Sequence, residues 1–348
     1  MSGTWTSQNK ILPGAYVSFL TNTVLSITPG ERGIVVLLQE MSTGTAGDQY
    51  MITATDKTAY PSDTTQMDKL LVDEALKGAQ TVIVYNLGTS HTAQVIETAL
   101  NELKTLVFHT ICYPYENATY ASNQSTIAKW IEEMRKEEGL KVQAVLADYQ
   151  ADNEAIINVT QGVKLSDGTI FTSAQTTAWV SGVTAGASIS QSITGKIYLG
   201  VIDVVPRMTK REMEIAVAAG EFIFKVDTAE NVTAVYDINS LTTYTVEKGK
   251  IFRKNRVIRT LDGIDKDIVQ IFESNYIGKI NNTADGRSLL RATLVQYFNE
   301  LQRLQVIMNF TQKDIEITQG NGSDAVVIDC YIQPVDSVEK IYITVNLA

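Results

Sequence analysis

The chain closes on a strand pattern. Its last residues read VEKIYITVNLA, in which Ile341, Ile343, Val345 and Leu347 alternate with Tyr342, Thr344 and Asn346. Alternation with period two predicts a β-strand with one buried face. It runs into the chain end, where sequences are normally polar and frayed, and an apolar strand left open there is an aggregation hazard unless something pairs with it. Near the other end, Ala15, Val17 and Phe19 alternate with Tyr16, Ser18 and Leu20 after Pro13 and Gly14. Two readings stand: edge strands of the chain's own sheet, or arms that add to a neighbour's sheet. Burying Ile341, Ile343, Val345 and Leu347 contributes about 1.5–3 kcal/mol each, and ordering residues 341–347 costs about 1–2 kcal/mol per residue in backbone entropy. The totals nearly cancel, so the strand orders only where a ladder partner adds its hydrogen bonds.

Between the ends, helix and strand signals alternate. Pro29-Gly30 precedes a short apolar strand, Ile34 to Leu38, and residues 41–61 are rich in Thr, Gly, Ser and Asp. Ser62-Asp63 can cap a helix carrying Met67, Leu70, Leu71 and Ala75 that Gly78 closes. The strand TVIVY (81–85), a helix over 92–104, the strand LVFHTI (106–111), a helix over 122–138 and the strand VQAVLA (142–147) follow. A helix through Ala178 to Val183, the strand YLGVIDVV (198–205), a helix over 210–219 and two further strand runs complete this part. The alternation predicts a parallel, helix-covered sheet for roughly residues 100–230. The C-terminal part predicts helices over 262–275 and 285–305 and strands at 313–318, 325–333 and 338–347, with Asn321-Gly322 as a hairpin turn.

Catalytic chemistry finds little support. His91 and His109 are the only histidines. His109 and Cys112 sit three apart in an apolar strand, where they point to opposite faces, and no G-x-S-x-G elbow occurs. The two lone cysteines, Cys112 and Cys330, and the two histidines give no metal spacing, and the acidic residues Asp148, Asp152 and Glu154 lack the glycine and final glutamate of a calcium loop. No phosphate-binding loop is present, so no cofactor is expected.

With 29 basic and 39 acidic residues the formal charge is −10, which argues against nucleic acid and against an anionic membrane surface as partners. No apolar run is long enough to cross a membrane. Against this background Lys248, Lys250, Arg253, Lys254, Arg256 and Arg259 form a basic run. It predicts either a solvated strand or loop or a surface that docks an acidic neighbour.

Taken together, PGAYVSF (13–19), INSLTTYT (238–245), KGKIFRKNRVIR (248–259), FESNYIGKINNTADGR (272–287), LQRLQVIMNF (301–310), DIEITQGNGSDAVV (314–327) and VEKIYITV (338–345) resemble the contractile tail sheath proteins of bacteriophages and phage-tail-like bacteriocins, in the small sheath type of Gram-positive phages and prophages. The resemblance is strongest over 239–348. It implies a multidomain α/β and α+β fold: an N-terminal arm (1–22), a β-rich or mixed domain (23–100), a subtilisin-like α/β middle domain (101–238), a C-terminal assembly domain (239–338) and a C-terminal arm (339–348). It also implies a structural subunit rather than an enzyme, polymerising with itself as stacked sixfold rings around a tail tube protein. Baseplate and tail-end proteins would be further partners, assembly would occur in the bacterial host cytoplasm, and contraction would drive the tube through a cell envelope. The arm residues would be Tyr16, Val17, Phe19, Ile341, Tyr342, Ile343 and Val345. Lys250, Arg253, Lys254, Arg256, Arg259, Arg287 and Arg291 would be candidate contacts to tube or neighbour, the last two sharing one helix face. The alternatives are the sheath of another contractile injection system and, from a different class, a soluble hydrolase with a subtilisin-like domain.

Overall fold

The computed structural model describes residues 32–345. The first body comprises β1 (Ile34–Gln39), β2 (Gln49–Thr53), α1 (Gln66–Leu76), β3 (Thr81–Asn86), α2 (Ala93–Leu103), β4 (Thr110–Tyr113), α3 (Ala121–Lys136), β5 (Gln143–Ala147) and β6 (Ile156–Val159). It continues through β7 (Gly162–Leu165), β8 (Ile170–Phe171), α4 (Ser173–Gly186), β9 (Val201–Val205), α5 (Lys210–Ala218), β10 (Glu221–Phe222), β11 (Phe224–Val226) and β12 (Val232–Ala234). A seven-stranded sheet in the order β10-β6-β5-β4-β1-β3-β2 is its centre. All its pairings are parallel except that of β2 with β3.

The central strands are continuous apolar runs because both faces are covered. Helices α2 and α3 lie over one face, where Ile96, Leu100, Ile127 and Trp130 meet Val36, Ile111 and Leu146. On the other face α1 and α4 pack against Val35, Val82 and Cys112. A three-stranded sheet, β8-β7-β9, flanks this body.

The sheet joins strands from before and after residue 100, because β1 lies between β3 and β4; the apolar runs at 34–39 and 81–86 need the neighbouring strands to bury them. Two expectations change here. Helix α1 is capped by Thr65, whose hydroxyl accepts from the Asp68 N–H at 3.2 Å, not by Ser62-Asp63. Helix α4 is longer than the Ala178–Val183 segment expected. It is buried on nearly every side, so it carries no periodic stripe, and its start is set by a capping box between Thr172 and Gln175. It approaches α1 closely: a Cβ on Gly182 would lie 2.0 Å from the Ala75 carbonyl oxygen, and one on Gly186 would lie 1.8 Å from that of Gly78.

The C-terminal body holds a 3₁₀ turn (Lys250–Arg253), α6 (Asn255–Asn275), α7 (Ala284–Arg303), β13 (Ile307–Met308), β14 (Ile315–Gln319), β15 (Val326–Cys330) and β16 (Gln333–Pro334). Helix α6 begins at Asn255 rather than near Asp262, so the basic run is a 3₁₀ turn and a helix start instead of a strand or loop. Leu294, Tyr297, Phe298 and Leu301 of α7 make the core with Ile264, Val306, Phe310 and Ile315. Leu289 of this helix and its C-cap residue Leu304 are exposed. The hairpin expected at Asn321-Gly322 forms, with β14 and β15 antiparallel from Ile315↔Cys330 to Gln319↔Val326.

Candidate assembly surface

The C-terminal segment leaves the body after β16, with the Val335 N–H donating to the Val306 carbonyl at 2.9 Å. Its root is then fixed by charge. The Lys254 ammonium, at the N-cap of α6, reaches Asp336 at 3.2 Å and the Glu339 carboxylate, and it sits 4.2 Å from the centre of the Tyr236 ring. Burial draws the Lys254 pKa down, but hydrogen bonds to Glu339 and Tyr236 outweigh it and the net shift is upward. Glu339 also accepts from the Thr194 hydroxyl at 2.9 Å and the Ser337 hydroxyl at 3.1 Å.

Beyond that anchor, residues 341–345 form no strand. Ile341, Ile343 and Val345 are 75%, 79% and 76% exposed and Tyr342 is 89% exposed, and among the described residues no backbone hydrogen bond holds them. The expected strand at 338–347 is therefore absent over its described part. The physical reason is the near balance of side-chain burial and backbone ordering, which leaves the segment without strand structure where no ladder hydrogen bonds are made. Tyr16, Val17 and Phe19 lie outside the described residues, as does Leu347.

The β14–β15 hairpin offers ladder edges. It is a two-stranded sheet, so among the described residues both its outer edges are unpaired. One face is seated on α7 through Ile315, and Val327 is 48% exposed. Arg291 of α7 ties the hairpin root in place, donating to the carbonyls of Ile315 at 3.2 Å and Gln312 at 2.6 Å. Arg287 donates to the Asn282 side chain at 2.8 Å. Both arginines are half-buried and already hold the body's own groups, so neither presents a free guanidinium.

The basic run is mostly turned inward, which corrects its reading as a solvated surface. Arg259 is fully buried and paired with Asp237 at 2.6 Å, and it also donates to the Gln191 carbonyl at 2.7 Å. Arg256 is buried. Lys248 pairs with Glu154 at 2.5 Å and Lys254 with the arm root. Arg253 is half-buried, with its Nε and Nη2 lacking partners, and Lys250 is exposed. The physical reason is compensation: Asp237, Glu154, Asp336 and Glu339 are distant in sequence but converge on the start of α6. Sequence reasoning missed these acidic anchors, whose only signal was opposite charge on either side of the run.

Among the described residues no nucleophilic site assembles. Cys112 is buried against the Thr177 hydroxyl at 3.3 Å, and burial pushes its thiol up to about 11. His91 is held by Glu40 and the Tyr113 hydroxyl, each at 2.7 Å. His109 accepts the Ile34 N–H through Nδ1 at 3.2 Å. Both cysteines are free thiols. Among the described residues no His, Cys, Asp and Glu group could hold a metal ion, and no helix is long and apolar enough to cross a membrane.

Three family models match the chain in succession: "Tail sheath protein Gp18 domain III N-terminal region" over residues 32–87, "Phage tail sheath protein central domain" over 89–240 and "Phage tail sheath C-terminal domain" over 247–348. The crystal structure of a sheath tail protein from Desulfitobacterium hafniense is similar over 95% of this chain and 99% of that one, with 32% identity and a TM-score of 0.81. A tail sheath protein of Clostridium phage phiCD119 is 36% identical over 217 residues, which is 62% of this chain and 59% of that protein. The helical sheath of the anti-feeding prophage in its contracted state shares the fold, with a TM-score of 0.73 at 14% identity over 97% of this chain and 99% of that one. The chain spans 50–59% of the length of the curated relatives it matches.

Proposed function

Because this chain belongs to the contractile tail sheath family, a family of structural proteins and not of enzymes, we propose that it polymerises with itself as stacked sixfold rings around a tail tube and contracts to drive that tube through a cell envelope. Baseplate and tail-end proteins are its further partners, and assembly takes place in the bacterial host cytoplasm. The α/β body, with its subtilisin-like arrangement of sheet and helices, faces outward, while α6, α7 and the hairpin form the assembly core.

The observation that carries this reading is the segment after Glu339. Its alternating apolar side chains are exposed beyond a charge-fixed root, C-terminal to a hairpin with open edges. A strand that cannot order alone and a two-stranded sheet that can accept one are complementary, and identical copies close the relation by β-augmentation. The segment of one subunit adds to the β14–β15 sheet of the next, and residues 13–19 add as a second arm. Stored energy lies in the difference between two packings of rigid subunits, and no nucleotide is consumed. The hydrolase alternative has no nucleophile–base pair to support it.

Substituting Ile343→Asp tests the arm. Ile343 is exposed in the single chain, so the monomer keeps its unfolding midpoint, while tube formation fails because a charge enters the buried face of the shared ladder. Thr344→Asp, on the opposite face, assembles with a milder defect. Equal defects from both, read by sedimentation and electron microscopy, refute the alternation.

A further inference from the structure

A cleft of about 300 Å³ lies where the α/β body meets α6, lined by Arg32, Phe108, His109, Leu140, Lys266 and Val269 among others. Two of its polar atoms are unaccounted for. His109 is 6% exposed. Its Nδ1 accepts the Ile34 N–H at 3.2 Å, so the ring proton resides on Nε2, and Nε2 is buried with no partner. The Nε of Arg32 is likewise buried with no partner. Leaving a buried donor without an acceptor is unfavourable, and two in one cleft call for an acceptor that the described side chains do not supply.

The surrounding charge selects the kind of acceptor. Burial first, and then Arg32 and Lys266, hold the His109 pKa down to about 3, so the ring is a neutral donor under all ordinary conditions. Burial and the nearby Arg259 lower Arg32 to about 10, so it carries its charge at neutral pH. Asp262, a buried residue of the cleft lining whose charge favours charged Arg32, is engaged by Arg135 in two hydrogen bonds of 2.7 and 2.9 Å. Lys141, Asp265 and Glu273 also line the cleft, and Arg32 Nε and the His109 Nε2–H are its donors without an acceptor among the described residues. Phe108, Leu140 and Val269 give it an apolar wall, where a charge-assisted hydrogen bond is strengthened by exclusion of water.

We propose that this cleft is an oxyanion site, in which Arg32 and the His109 Nε2–H grip a phosphate-type anion or a carboxylate between the α/β body and α6. The bound anion bridges the two parts and stiffens their junction. It acts on the unassembled chain, so the site stands or falls independently of the arm.

The test is a titration of the full chain with inorganic phosphate at constant ionic strength, following the His109 ring resonances; with two histidines in the chain the spectrum is simple. Phosphate shifts the Nε2–H signal saturably, and at ten times Kd it multiplies the folding equilibrium by about eleven. Arg32→Met weakens binding at least tenfold, and His109→Phe does the same if it folds; Arg207→Met, a distant exposed arginine, leaves it unchanged. Acetate that reproduces the shift identifies a carboxylate as an equal occupant of the oxyanion site. A shift from phosphate alone assigns the site to the free anion. No saturable shift with either anion, or the same response in Arg32→Met, means that water alone fills the cleft and overturns the proposal.

Discussion

Replacing Arg259 by Met separates a buried brace from a docking charge. The Arg259 and Asp237 side chains are 0% and 1% exposed, and they meet at 2.6 Å. Met keeps most of the aliphatic volume but leaves the Asp237 carboxylate with the Ile193 N–H, at 3.1 Å, as the donor to Oδ2, while Oδ1 already lacks a partner. Removing one member of a buried ion pair costs about 3–5 kcal/mol, a large share of a typical stability of about 5–15 kcal/mol. With an m-value of about 3 kcal/mol/M, the urea midpoint falls by about 1–1.7 M. Adding Asp237→Asn removes the stranded charge and recovers part of the loss, so the double-mutant cycle shows strong coupling. A loss below about 1 kcal/mol in the monomer, with assembly abolished instead, would mean that Arg259 serves a neighbour and would refute the internal reading.

Two further outcomes follow from local geometry. Gly182→Ala forces α1 and α4 apart, because its Cβ meets the Ala75 carbonyl oxygen at 2.0 Å; it costs about 3 kcal/mol by thermal unfolding, whereas Gly139→Ala, with open space around it and φ of +69°, costs about 1–2 kcal/mol from the left-handed backbone alone. Burial raises the Asp152 pKa, but donors from Thr243 and Thr242 outweigh it and bring it down to about 2. A depressed carboxylate stabilises the fold above its unfolded value of about 3.9 and loses that contribution as pH falls through about 2. Amide exchange at Thr242 and Thr243 therefore speeds up over that window in the wild type, and Asp152→Asn is fast throughout.

Much of the α/β body was legible in the sequence because its strands are short apolar runs and α2 carries a clear buried stripe of Ile96, Ala99, Leu100 and Leu103. Helix α4 was only partly legible: buried all round, it has no periodic contrast to read. The strand order was not legible, because sequence order does not reveal that β1 inserts between β3 and β4. At the assembly surface, the alternation at Ile341, Ile343 and Val345 was visible, but a strand needs a partner that one chain does not contain. The basic run misled because charge suggests exposure; only folding brings Asp237 to Arg259 and Glu339 to Lys254.

Electron microscopy of the purified full chain beside a chain ending at Glu339 decides whether the C-terminal segment links subunits. The truncation keeps the charge-fixed root and removes only exposed side chains from the described structure. The full chain forms striated tubes, and the truncated chain stays a folded monomer with an unchanged unfolding midpoint and no tubes. Tubes from the truncated chain, or a core that unfolds without residues 340–348, would contradict it.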